Sequence, residues 1–78
     1  MSIHRMPFQI NPDRWMAEFF ASKAAMTGGV IRRSRREVDT LIGVDRLELE
    51  VRRRGFHLLA CGSQYLVVCD PGEIRTIC

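Results

Sequence analysis

Two apolar runs near the end of the chain, FHLLAC at residues 56–61 and YLVVC at residues 65–69, flank Gly62 and Ser63. Both runs are short and rich in strand formers. A Gly-Ser pair has the length and chemistry of a tight hairpin turn, so the runs are predicted to be the two arms of an antiparallel hairpin. Asp70, Pro71 and Gly72 end the second arm. The tail from Glu73 to Cys78 is short, and Ile74 and Ile77 are placed to tuck back.

Upstream of the hairpin the punctuation is helical. Asn11 can cap free amide groups, Pro12 fits a first helical position, and Asp13 suits the positive end of a helix. Trp15, Phe19 and Ser22, with Met16, Phe20 and Ala24 beside them, form a broad apolar stripe that ends near Thr27 at Gly28 and Gly29. Val30 and Ile31 are β-branched, and residues 29–33 read as a short strand. Ser34 and Glu37 then make a capping box, with Val38, Leu41 and Ile42 as the inward face and Gly43 as the stop. Asp45 and Glu48 repeat the capping signal, Leu47 and Val51 lie one turn apart, and Arg52, Arg53 and Arg54 occupy the last turn before Gly55. Residues 47–51, LELEV, also alternate like a strand, but helix punctuation at both ends favours a helix.

The resulting order is helix, strand, helix, helix, strand, strand. It predicts an α+β fold, a small winged helix-turn-helix-like domain over residues 11–78. The first strand completes a three-stranded sheet with the hairpin. Gly43, Val44 and Asp45 form the tight corner between the second and third helices. Residues 1–10, MSIHRMPFQI, lack periodicity and are read as a flexible N-terminal arm. Phe19, Leu41, Val51, Leu58 and Val67 are the predicted core, one from the apolar face of each main element. The stripe of Trp15, Phe19 and Phe20 reads as core, with a dimer contact through Trp15 as the alternative.

Size and charge narrow the function. A chain of 78 residues allows one domain with a modest core. The composition, 46% hydrophobic and 27% charged, is that of a folded chain. The formal charge is +3, a mild excess compatible with a polyanionic partner. That excess is concentrated: RRSRR at residues 32–36 and RRR at residues 52–54 hold seven of the twelve basic side chains. Arginine supplies eleven of those twelve, and its planar fork can grip phosphate with two hydrogen bonds. The N-terminus does not read as a secretory signal, and no apolar stretch approaches the roughly eighteen residues of a membrane span. The three cysteines, Cys61, Cys69 and Cys78, are an odd number, which favours a reducing cytoplasmic setting.

Arg32 and Arg33 fall at the end of the predicted first strand, and Arg35 and Arg36 in the first turn of the second helix. Cations there oppose the helix dipole, and a bound phosphate would relieve the opposition. The competing reading pairs these arginines with Glu37 and Asp39. The RRR run sits where the dipole favours cations and is read mainly as helix-end stability. On the third helix Arg46, Glu50 and Arg53 share an outward line, a mixed face from which Arg46 and Arg53 could reach DNA. The predicted wing, Gly62-Ser63-Gln64, offers no basic side chain. The cysteines and the two histidines, His4 and His57, have no metal-ligand spacing, and His57 reads as an edge histidine. No nucleophile and base can be placed together, and no phosphate-binding glycine loop is present.

Trp15 with Phe19, the segment from Gly28 to Glu37, and the segment from Glu50 to Gly55 carry a resemblance. Over residues 12–77 the chain resembles a group of small alphaproteobacterial proteins of unknown role. They share a W-x(3)-F segment, a GGV-x-RR-x(3)-R-[DE] segment and an EVRRRG segment. Members of the group often carry the label N-(5'-phosphoribosyl)anthranilate isomerase. That isomerase is a TIM barrel working through a cysteine and an aspartate, and a TIM barrel takes about 250 residues. No catalytic residue is therefore carried over, and the resemblance supports the segmentation of the chain rather than a chemistry.

The expected function is nucleic-acid binding, most directly regulatory binding of DNA, through Arg32, Arg33, Arg35, Arg36, Arg46 and Arg53, with no catalysis and no cofactor. A protein-interaction or adaptor module is the alternative, and the isomerase activity ranks last on size. Duplex DNA or another nucleic acid, a protein partner and a second copy of the chain are the partners this layout admits; a membrane is not.

Overall fold

A computed structural model describes residues 11–78, so the predicted arm at residues 1–10 lies outside the described residues. The first helix, α1 (Pro12–Phe20), begins as its sequence dictates: Asn11 Oδ1 accepts from the amides of Asp13 at 2.9 Å and Arg14 at 3.3 Å. It does not run on to Thr27. The chain turns at Ala21 and restarts as a four-residue helix, α2 (Lys23–Met26), capped by Ser22 Oγ accepting from Ala25 N. The turn lets Phe19 and Phe20 both be buried while Ala24 and Ala25 pack on the same core. One straight stripe could not place all four there.

Gly29 sits at a tightly packed junction. A Cβ there would stand 3.2–3.3 Å from the backbone and side chain of Ala24, and the Gly29 amide donates to Ala24 O at 2.7 Å. Strand β1 (Val30–Ser34) follows, then α3 (Arg35–Leu41) and α4 (Val44–Arg54). Ser34 supplies the expected cap, its Oγ accepting from Glu37 N at 3.3 Å. Asp45 does not cap α4. The helix starts two residues earlier than a cap at Asp45 would place it, with Gly43 at its N-cap and no side-chain cap bond, and Asp45 sits inside the first turn. Gly55 ends α4 in the left-handed conformation with φ +74°.

The hairpin closes as predicted. Strands β2 (His57–Cys61) and β3 (Gln64–Val68) pair antiparallel, with Cys61 opposite Gln64 across a two-residue turn. Gly62 has φ +60° and no other turn residue has positive φ, the signature of a type II′ connection. β1 pairs antiparallel with the other side of β3, giving the sheet order β1-β3-β2. The described residues thus form an α+β domain of four helices, one of them very short, and a three-stranded antiparallel sheet.

The core lies between the inner sheet face and the helices. Phe19, Phe20, Ile31, Val38, Leu47, Val51, Tyr65, Val67 and Cys69 are buried, and Leu58 packs against them. Of the five predicted core residues, Leu41 is the exception. It is half-buried, and Val38 takes the fully buried place on α3, supported by Ile42. Alternation along β3 is clean: Tyr65 and Val67 are buried, while Gln64, Leu66 and Val68 lie on the outer face.

Candidate nucleic-acid interface

β1 and the start of α3 present the RRSRR run. Arg32 is exposed on the outer sheet face, opposite Leu66. Arg33 turns the other way: its guanidinium lies 5.3 Å from the centre of the Phe19 ring and its Nη1 donates to Arg32 O at 2.7 Å. It lines a cleft of about 190 Å³ with Trp15, Glu18, Phe19 and Glu37. Arg36 is exposed on the first turn of α3.

Arg35 is placed by the fold rather than by its neighbours in sequence. Its amide donates to Ser63 O at 2.9 Å, and its Nη1 donates to Gly62 O at 3.2 Å. Its guanidinium lies 5.4 Å from the centre of the Tyr65 ring. The hairpin tip, which has no basic residue of its own, therefore carries Arg35. The Tyr65 hydroxyl in turn donates to Asp39 Oδ1 at 2.9 Å. Asp39 is thereby engaged by a phenol and not by an arginine.

The ion pairs divide the described arginines into two groups, with Arg75 of the tail also unpaired among the described residues. Arg14 meets Glu18, Arg46 meets Asp13, Arg52 meets Glu48, and both Arg53 and Arg54 meet Glu50. Arg32, Arg33, Arg35 and Arg36 have no carboxylate within 4.0 Å among the described residues. The expected competing pairing with Glu37 and Asp39 is not formed.

Two expectations change on this geometry. α3 has only seven residues, so the opposition between its dipole and the RRSRR charges is small. Arg46 and Arg53 are both engaged, though unequally. Asp13 is 95% exposed and its 3.6 Å pair with Arg46 is a surface contact, of a kind worth about 0–1 kcal/mol, so Arg46 can be released. The Glu50 side chain is only 17% exposed and receives Arg53 at 3.1 Å and Arg54 at 2.8 Å, so Arg53 is held more firmly. Arg54 also covers the Phe20 ring at 4.2 Å. The RRR run is thus largely committed to the end of α4, as its position in the helix predicts.

Trp15 is half-buried and stacked on Phe19 at 5.0 Å, a core partner more than a free surface anchor. His57 Nε2 donates to Gly72 O at 2.6 Å, which fastens the start of the tail to β2. Among the described residues no three His, Cys, Asp or Glu side chains are grouped to hold a metal ion, and no helix is long and apolar enough to cross a membrane. Cys61 and Cys78 are exposed, Cys69 is buried, and all three are free. Burial pushes the Cys69 thiol up, and the nearby Arg54 charge draws it partly back. A thiol reagent at neutral pH is expected to modify Cys61 and Cys78 quickly and Cys69 only after denaturation. Equal rates for all three would contradict the burial of Cys69.

Comparison with models of known families, with curated proteins and with solved structures returns no significant match.

Proposed function

We propose that this chain is a small winged-helix-like nucleic-acid-binding protein that grips the phosphates of duplex DNA through Arg32, Arg33, Arg35 and Arg36. The observation that carries the reading is the division of the arginines. Five are matched to carboxylates, whereas the four of RRSRR are matched to none among the described residues. An arginine fork without a carboxylate keeps its donors for another oxyanion, and phosphate fits it bidentately. Element order supports the winged-helix comparison: two helices meet at a corner of two residues, Ile42 and Gly43, and a hairpin follows. Arg35 seated on the hairpin tip gives that hairpin the cation its own sequence lacks.

On this reading α4 contributes little base recognition. Its outward residues mix Asp45, Arg46, Leu49 and the Glu48–Arg52 pair. Arg46 adds one backbone contact once it leaves Asp13, and Arg53 adds less. Binding is therefore dominated by phosphate and has weak sequence preference. The protein acts without catalysis, in the reducing cytoplasm where its thiols stay free.

The test is a salt titration of binding to mixed-sequence duplex DNA, with duplex RNA beside it. Affinity for DNA is expected to fall steeply with salt, since every phosphate contact releases counterions. Salt-independent binding, or none to either polymer, would remove this function and leave the adaptor reading, which the exposed Val30 and Leu59 on the outer sheet face favour.

A further inference from the structure

We infer that two copies of this chain pair edge to edge along β2, joining their sheets into one six-stranded antiparallel sheet. The sheet order β1-β3-β2 leaves β1 and β2 as its edges among the described residues. The two edges are treated differently by the sequence. β1 reads VIRRS, and its arginines guard it, as charged side chains guard edges in proteins that avoid pairing. β2 reads HLLAC, five residues without a charge, a proline or a break. An open edge of that kind is a template for another strand.

The backbone register says which groups are on offer. In a two-residue hairpin the flanking pair, Cys61 and Gln64, exchanges both hydrogen bonds, and so do the pairs two and four residues on. His57, Leu59 and Cys61 therefore face β3 with their amides and carbonyls. Leu58 and Ala60 face outward with theirs. On the other side of β3 the complementary phase is seen directly: Cys69 N donates to Gly29 O at 2.9 Å.

A second β2 satisfies these groups when Leu59 lies on the two-fold axis. Leu58 of each copy then exchanges both bonds with Ala60 of the other, and the two Leu59 side chains meet as a close non-hydrogen-bonded pair. Leu59 is 36% exposed in the single chain and gains cover there. Beside this edge runs a groove of about 590 Å³ between β2 and α4, floored by Val51, Phe56 and Leu58, rimmed by Glu48 and Arg52, and lined in part by Ile74 of the tail. Glu48 and Arg52 on that rim are already paired with each other at 2.7 Å, so they neither drive nor oppose the contact. The strand pairing itself is self-complementary, Leu58 meeting Ala60 and Ala60 meeting Leu58, as an isologous contact must be. The inference stands apart from the nucleic-acid reading: a dimer that ignores DNA would leave it intact.

The test begins with light scattering and sedimentation of the full chain, from dilute to the highest soluble concentration. The expected mass is twice the 9.0 kDa of one chain at the upper end. Leu59→Lys sets like charges together on the axis and is expected to weaken self-association about tenfold or more, with an unchanged circular dichroism spectrum. Ala60→Pro removes a donor that the partner needs and no ladder bond within the chain, and should do the same; should it unfold, Leu59→Lys decides. In a Cys61→Ser, Cys78→Ser background, Leu59→Cys is expected to form an intermolecular disulfide on mild oxidation, and Val30→Cys on the guarded edge is not. A chain that stays monomeric at every concentration overturns the inference. So does a dimer that is indifferent to Leu59→Lys and crosslinks at Val30→Cys.

Discussion

Leu47→Ala is expected to lower the urea midpoint of unfolding strongly. Leu47 is fully buried at 0% exposure, on the face of α4 that meets the core. Truncating such a leucine removes its transfer free energy and leaves a cavity, together about 2–5 kcal/mol. A domain of this length has roughly 4–12 kcal/mol in all, at about 0.05–0.15 kcal/mol per residue. The change therefore takes from about a sixth of the stability to all of it. Leu41→Ala on the neighbouring helix is the control. Leu41 is half-buried and outside the core cluster, so its loss is expected to cost about 1 kcal/mol or less. Urea titrations of the two variants measure the difference. Equal midpoints would mean that α3 and α4 are rotated from the faces described above.

Arg35→Ala combined with Arg36→Ala is expected to have the largest effect on binding. Each lost phosphate contact lowers the salt slope by about 0.9 for duplex DNA, so the pair should flatten it by roughly one to two units. Affinity should fall by a similar factor for every sequence, because phosphates carry no sequence information. Arg53→Ala should change binding little, since Arg53 is already matched to Glu50. The double variant also loses the Arg35 contacts with Gly62 and Tyr65, which stack a cation on an aromatic ring; such contacts are worth about 0.5–1 kcal/mol at exposed sites. A small loss of stability is therefore expected in place of the small gain that relief of helix-end repulsion alone would give. A slope unchanged from wild type would move phosphate contact away from RRSRR.

Much of the fold was legible because its signals act between neighbours in the chain. Asn11 and Pro12 start α1, Ser34 starts α3, Gly55 stops α4 and Gly62 turns the hairpin. Each acts within a few residues, through a cap bond or a backbone angle, so the local sequence suffices. Ser22 was the missed case. A serine inside an apolar stripe reads as one more helical residue, and only the burial of both Phe19 and Phe20 makes a second cap there useful. Asp45 is the same case in reverse: the capping pattern is present, yet the corner at Gly43 begins the helix two residues sooner.

The candidate site divides along the same line. Sequence alone determined that seven arginines fall in two runs and that the second run sits at a helix end, where the dipole and Glu48 and Glu50 one turn earlier hold it. The tertiary structure decided the rest. It chose Val38 over Leu41 for the core, because both lie on one side of a short helix and only the packed neighbours fix its rotation. It brought Arg35 to Gly62, 27 residues away, and gave Asp39 to Tyr65, 26 residues away. It also made β1 and β2 the edges of the sheet among the described residues. Caps and turns are set by atoms a few bonds apart, whereas partners and edges are set by which distant segments come to lie side by side. The chain's local chemistry fixes the first, and only the closed core fixes the second.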